Sequence, residues 1–274
     1  MSGFAKVILS PFADIGRELL LRVKSLGAMT NLLIDTLYWT VIGPFTGKTR
    51  FRETVFPLMY QIGIKSLFIC CLVTLLVGAI LVFQTADQFE RFGAKTLVPT
   101  MICLSIVREL GPLMTAIVLA GRVGAAFTAG LGSMVINEEV LALRTMGINP
   151  VGYLVAPRFI AMCIMVPCLS IYSYLLGNLG GFLVGVGFYN LPAAAYINKV
   201  GDALDMTDMV AGAIKSVFFG AIICMVACHN ALTVRGGPEG VGRNTMISVV
   251  NSLVAIIVFD LLFGLLMARH FYTV

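Results

Sequence analysis

Apolar residues run through this chain in long stretches separated by short polar segments. Five stretches approach or exceed the roughly 20 residues that a helix needs to cross a bilayer. They extend from about Gly63 to Gln84, Leu97 to Leu119, Phe159 to Val186, Met209 to Leu232 and Met246 to Met267. The second passes through Arg108 and Glu109 without losing its apolar character. The N-terminal part is patterned differently. Ile8, Phe12, Ile15, Leu19, Val23 and Leu26 recur at helical spacing, with Lys6, Asp14, Arg17, Glu18, Arg22 and Lys24 between them. A second stretch, Leu32 to Ile42, contains Asp35 and is too short to span. Both predict amphipathic helices lying in the membrane interface, with a soluble hairpin packed on a partner as the plainer alternative. The chain therefore divides into 1–55, interfacial helices, and 56–274, a five-span domain.

Composition agrees with the pattern. Of 274 residues 59% are hydrophobic and 12% charged, against about a quarter charged in a soluble domain. The mean hydropathy is +0.96. These values exclude a water-soluble enzyme, a disordered linker and a secreted disulfide scaffold. The interrupted N-terminal segment offers no apolar core long enough for a signal peptide, and no transit peptide precedes it, which favours a bacterial inner membrane over a plastid envelope. The seven cysteines all fall in apolar segments and read as small hydrophobes. Cys224, Cys228 and His229 invite a metal reading, but a zinc site wants thiolates and four ligands, which lipid penalises. No metal or cofactor is expected.

The net charge of +5 carries no basic patch with interleaved aromatics, so nucleic acid is not a partner. Charge sets orientation instead. With the N-terminus in the cytoplasm, thirteen of the 19 Lys and Arg lie inside and four (Arg91, Lys95, Lys199 and Arg269) outside. Asp202, Asp205 and Asp208 make the loop before the fourth span acidic. An odd number of spans puts the termini on opposite faces.

Several motifs could carry chemistry. Gly43-Pro44-Phe45-Thr46-Gly47-Lys48-Thr49 has three residues where a P-loop needs four, so it reads as a turn and leaves the chain without a nucleotide site. Arg108-Glu109-Leu110-Gly111-Pro112 places two adjacent charges in an apolar stretch, where each costs several kcal/mol unless paired or hydrated. Adjacent positions diverge by about 100° on a helix and cannot face each other. The pair either lines a substrate cavity or forms a buried salt bridge to Lys215 or Asp260. Ala120-Gly121-Arg122-Val123-Gly124-Ala125-Ala126 reads as a tight crossing or dimer seam, with Arg122 reaching the cytoplasmic interface. Between the second and third spans, about 135–147, Ile136, Val140, Leu143 and Met146 repeat at helical spacing and leave Glu138 and Glu139 on another face. Asn137 is the expected cap, and Gly147 and Pro150 the expected terminators. An amphipathic helix with an acidic edge has the form of an element that docks in a groove, or else lies on its own bundle. Thr233 to Arg243 reads as a basic turn region. His229 reads as a structural residue, and no Ser/His/Asp set appears at usable spacing.

At these motifs the sequence resembles the MlaE/YrbE family, permease subunits of ABC transporters that move lipids with MCE proteins. The matching text is Arg108 to Pro112, Ala120-Gly121-Arg122 with Gly124, the Glu138 helix, Met146 to Pro150, Ala156 to Phe159, Thr233 to Gly237, the Gly240 to Gly242 turn and Asp260. It covers the chain from about Phe56 onward, and the first 50 or so residues in character only. The resemblance implies an all-α integral membrane protein: N-terminal interfacial helices, five transmembrane helices and a short cytoplasmic coupling helix. It implies a homodimer in which each copy engages a cytoplasmic ABC ATPase subunit through Glu138, Glu139, Leu143 and Arg144. Arg108 and Glu109, with Leu110, Leu81, Gln84 and Phe92, would line a lipid cavity at the dimer centre. The outer face would meet a periplasmic MCE-domain protein. Two departures stand out. Many members have Ala-Glu where this chain has Ala129-Gly130, and Glu-Gln where it has Glu138-Glu139. The first leaves no carboxylate at 130, and the second makes the docking edge more acidic.

The expected function is thus a lipid-transporting permease subunit, not itself an enzyme, driven by ATP hydrolysis in a partner. A proton-coupled carrier or channel using Glu109, Lys215 and Asp260, and a membrane enzyme acting on lipid head groups, are the competing classes. Neither accounts for the short acidic helix.

Overall fold

The computed structural model describes residues 27–42 and 51–270. The expected helix from Phe4 to Leu26 and the turn at Gly43 to Thr49 lie outside these residues. Helix α1 occupies 27–42, and α2 runs Phe51–Arg91. A 3₁₀ turn, Lys95–Leu97, leads into a long rod made of α3 (Val98–Ser105), α4 (Gly111–Leu119) and α5 (Ala125–Ile136). Single π-helical turns, Ile106–Leu110 and Ala120–Gly124, join the three. Then follow α6 (Glu139–Thr145), a third π turn (Val151–Val155) continuing into α7 (Ala156–Gly187), and α8 (Ala193–Ala203). The chain closes with α9 (Met206–Leu232) and α10 (Gly237–His270).

The described residues hold five helices long and apolar enough to cross a membrane, as expected, and the fold is all-α. Their ends lie further out than the apolar stretches alone indicate. The first span is helical from Phe51, not Gly63, and the second continues to Ile136, not Leu119. Hydrophobicity marks only what lipid covers, whereas backbone hydrogen bonding carries a helix on into the interface. The basic region expected as a turn up to Arg243 narrows to Thr233–Gly236, because α10 already begins at Gly237. Positive φ at Gly236 (91°) and Gly237 (72°) makes that corner.

Burial is arranged for lipid. Leu261, Leu262, Leu265 and Leu266 on α10 and Phe68, Leu72, Leu76 and Ile80 on α2 are exposed, while the interior holds many small residues. Helix association in lipid rests on close backbone packing, and the α2–α7 crossing is the clearest case. A methyl group on Gly78 would overlap the Gly177 carbonyl oxygen, and one on Gly180 would overlap that of Leu75. Polar side chains fasten the other end. Thr128 Oγ1 of α5 lies 2.9 Å from Ser248 Oγ of α10 and donates to the Ala227 carbonyl of α9 at 3.2 Å. Helix α8 caps the far end with Tyr196 packed on Gly181 and Gly185, and this burial raises its phenol pKa above the ordinary value.

Helix α1 does not span. Met29, Leu32 and Leu33 pack on the main core, Thr36 is buried, and Trp39 lies against Gly152. Ile34, Leu37, Tyr38 and Val41 face outward. Apolar residues on both flanks of a short helix suit a position half sunk in the interface.

The glycine seam gives a direct test. Gly78→Val must push α2 off α7 and is expected to cost about 1–3 kcal/mol of stability. Gly121→Ala, with no atom within 4 Å of the added carbon, should be neutral. Thermal unfolding of both variants in detergent reads the difference.

Candidate functional site: an ion-paired relay at the first π turn

Gly111 and Pro112 prepare the first π turn. Pro112 has no N–H to offer the preceding turn, and the Gly111 N–H donates to the Ile106 carbonyl, five residues back. A Cβ at Gly111 would come within 2.7 Å of the Tyr174 ring, and one at Gly212 within 2.8 Å of the Val107 carbonyl oxygen. Two glycines therefore let α7 and α9 close on the wound-out turn.

The turn aims Arg108 and Glu109 at different partners, as their divergence on a helix requires. Arg108 Nη2 lies 2.8 Å from Asp208 Oδ2, in the first turn of α9. Glu109 Oε2 pairs with Lys215 Nζ, which also sits 2.5 Å from Asp260 Oδ1 on α10. The Lys215 side chain is 1% exposed, against 49% for Glu109 and 17% for Asp260. The ammonium is also 5.8 Å from the centre of the Phe263 ring. A lysine in lipid is tolerated when paired in this way. One cation between two carboxylates leaves the trio with a net charge of −1 when all three are ionised, partly open on the Glu109 side. The alternatives of a cavity lining and a buried salt bridge thus meet in one place: the charges are paired, and a small cavity of about 40 Å³ lies among them and Gly264. That holds a water or two and no lipid head group.

Asp208 is a correction to the sequence reading, which left it in an acidic outer loop. It is 7% exposed and belongs to α9. Asp205 caps that helix, its Oδ1 accepting from the Thr207 N–H at 3.4 Å. An Asp three residues after a capping Asp, before an apolar run, was the available signal.

Of the other expected lipid-lining residues, Leu110 belongs to the same π turn and the rest lie on α2 or just beyond it. Leu81 packs on the Val82, Ala86 and Ile102 cluster, Gln84 is exposed, Phe92 is 85% exposed and Leu110 is half-buried. None of the four lines the small cavity beside Arg108 and Glu109.

The expected helix around 135–147 is present but shorter, Glu139–Thr145. Asn137 does not begin it; Asn137 ends α5, and Glu138 is the cap, in the left-handed conformation at φ 60°. Two helices separated by Asn137 and Glu138 leave no room for an extended capping residue. A Schellman motif terminates α6: Ile148 N–H bonds to the Leu143 carbonyl at 2.9 Å and Gly147 N–H to that of Arg144 at 3.0 Å. Pro150 stops nothing; it opens the next helix, where the Asn149 side chain accepts from Val151 N–H at 2.9 Å. Val140 and Leu143 pack on the core, whereas Glu138, Glu139, Leu141, Arg144 and Met146 are exposed. Elsewhere, Cys224 and Cys228 are buried with sulfurs 3.9 Å apart.

The relay predicts an order of stabilities. Lys215→Met leaves two carboxylates without their cation and should cost about 3–5 kcal/mol. Glu109→Gln should be milder, since Asp260 still holds the ammonium. Lys215→Met combined with Glu109→Gln and Asp260→Asn should recover much of the loss, and thermal unfolding in detergent reads all three.

Comparison with known proteins agrees with this layout. Residues 55–266 match the family Permease MlaE. A probable ABC transporter permease protein of Rickettsia typhi is 37% identical over 235 residues, 86% of each chain. A probable ABC transporter permease protein of Synechocystis is 36% identical over 216 residues, 79% of this chain and 82% of its own. The Arabidopsis thaliana chloroplast protein TRIGALACTOSYLDIACYLGLYCEROL 1 is 37% identical over 214 residues, 78% of this chain and 61% of its own. Five apolar helices, with a short exposed helix between the second and third, and a family match spanning nearly all of them lead to one conclusion: the chain belongs to the MlaE permease family, multi-pass membrane proteins related to ABC transporter permeases.

Proposed function

We propose that this protein is the permease subunit of an ABC transporter that moves phospholipid or another lipid between a bacterial inner membrane and an MCE-protein conduit. A separate cytoplasmic ATPase supplies the energy. The observation that carries the proposal is α6, a seven-residue helix held by buried Val140 and half-buried Leu143, with an acidic edge and the apolar Leu141 and Met146 turned outward. Among the described residues nothing covers that surface, and a groove on an ATPase subunit would accept it. A relative named for a galactolipid supports a lipid substrate.

Glu138, Glu139, Leu143 and Arg144 form the docking element in this reading, with Glu138 and Glu139 meeting a basic groove and Leu143 anchoring the helix from within. The ATPase states must bind two permease conformations differently for hydrolysis to do work on the lipid. Arg108, Glu109, Leu110, Leu81, Gln84 and Phe92 contribute to a lipid cavity completed by a second copy. The lipid-type exterior of α10 beside the half-exposed Glu109 supports that arrangement. The thirteen-to-four distribution of basic residues supports an N-terminus in the cytoplasm.

The Glu109–Lys215–Asp260 trio also favours a second reading, a proton-coupled carrier or channel. One experiment separates the two. Wild-type protein and the Glu138→Lys, Glu139→Lys double variant are solubilised from native membranes and captured, with co-purifying proteins and lipids identified by mass spectrometry. The transporter reading expects an ATPase and an MCE protein with wild type, and loss of the ATPase in the variant. Wild-type protein that brings down no ATPase moves the carrier reading ahead.

A further inference from the structure

A second cavity, of about 320 Å³, opens between α2, the second π turn and the start of α7. Its lining combines apolar Leu58, Ile62, Val123 and Phe127 with basic Lys65, Arg122 and Arg158. No carboxylate lines it, and among the described residues none is ion-paired with these three cations. Both guanidinium groups are instead held by neutral partners. Arg122 Nη1 donates to Ser66 Oγ at 2.6 Å, and Arg158 Nη1 donates to the Leu154 carbonyl at 2.5 Å. The Arg158 guanidinium also lies 5.6 Å from the centre of the Phe127 ring, and its Nε is buried without an acceptor.

The contrast with the relay is informative. There, Arg108 and Lys215 both have carboxylate partners. Here three cations line one space, two of them held by neutral partners, and their charge is left over. Such an arrangement is unfavourable in a partly dry site until an anion enters it. Depth identifies the anion's source. Arg122 follows Lys95 by about 40 Å of helix, more than the roughly 30 Å hydrocarbon thickness. The cavity therefore lies at head-group level, on the face that carries α6. Helix α1 reaches the same level, its Trp39 resting on Gly152 just ahead of Arg158. A lining that mixes three cations with apolar side chains suits an amphiphile, and the volume falls in the range of small-molecule sites.

We propose that this cavity binds the phosphate-bearing head of an anionic phospholipid from the adjoining leaflet, with Lys65, Arg122 and Arg158 as its ligands. The ligand class is independent of which lipid the transporter carries. Only the naming of that leaflet as the inner one rests on the orientation proposed above.

The test uses full-length protein in detergent, titrated with phosphatidylglycerol, phosphatidylcholine or inorganic phosphate, with retained ligand counted by native mass spectrometry. Phosphatidylglycerol should be retained at about fivefold lower concentration than phosphatidylcholine for each basic contact that distinguishes them. Lys65→Gln and Arg122→Gln should each weaken phosphatidylglycerol retention about fivefold and phosphatidylcholine retention less, since choline already offsets its phosphate charge. Lys65 is exposed on α2, so its substitution does not endanger the fold, and melting curves verify this. Arg235→Gln with Arg243→Gln, arginines beside Glu239 on the same face, should change nothing. Equal retention of the two lipids, or undiminished phosphatidylglycerol binding to Lys65→Gln, overturns the proposal. Inorganic phosphate binding as tightly as phosphatidylglycerol makes the site one for free anions and overturns its lipid source. No ATPase enters the measurement, so its result is separate from that of the capture experiment.

Discussion

A lysine ammonium sealed between helices in a membrane is the constraint to which the upper half of this fold is fitted. Lys215 needs two carboxylates within reach, and they come from different helices: Glu109 on the second span and Asp260 on α10. Satisfying it fixes the rotation of α9 and the register of both neighbours together. In water such an ion pair is worth little. In lipid the alternative is an unpaired charge, so the pairing specifies the assembly. Arg108 and Asp208 add a second tie between the same π turn and α9.

The π turn makes both ties possible. An undistorted helix would hold Arg108 and Glu109 at a fixed angle, with Gly111 and Pro112 merely weakening it. Winding out by one residue widens the helix locally, a form found often at functional sites, and Gly212 lets α9 close on it. The second π turn carries Arg122, and the third begins the span that carries Arg158. Both polar motifs of the second span thus coincide with departures from regular winding.

The five spans were legible because lipid imposes one rule, sustained apolarity, and apolar length can be read directly. Their ends were not, since the rule stops at the interface while the helix continues. Arg108 and Glu109 stood out as charges in the wrong solvent, and Lys215 and Asp260 were recognisable as partners for the same reason. Asp208 was hidden by its flanking aspartates, which made it look like part of a solvated loop. The tight crossing of α2 on α7 was less legible than the small-residue cluster around Gly121 and Gly124. Gly124 does approach Ile223, but Gly121 faces open space. Gly177 and Gly180 make the seam with α2, while Gly181 and Gly185, continuing the spacing of four from Gly177, lie under Tyr196 of α8.

The links around α6 have a mechanical meaning. Only Asn137 and Glu138 separate it from α5, and Met146 to Asn149 are knotted by the Schellman bonds before the next helix starts at Pro150. Loops of this kind have almost no slack. A pull on the short helix is therefore not dissipated in its tethers but delivered as a thrust along two rigid rods. One of those rods passes Arg122 before it reaches Glu109 and the buried ammonium, so a single unbroken length of chain ties the short exposed helix to the charged layer.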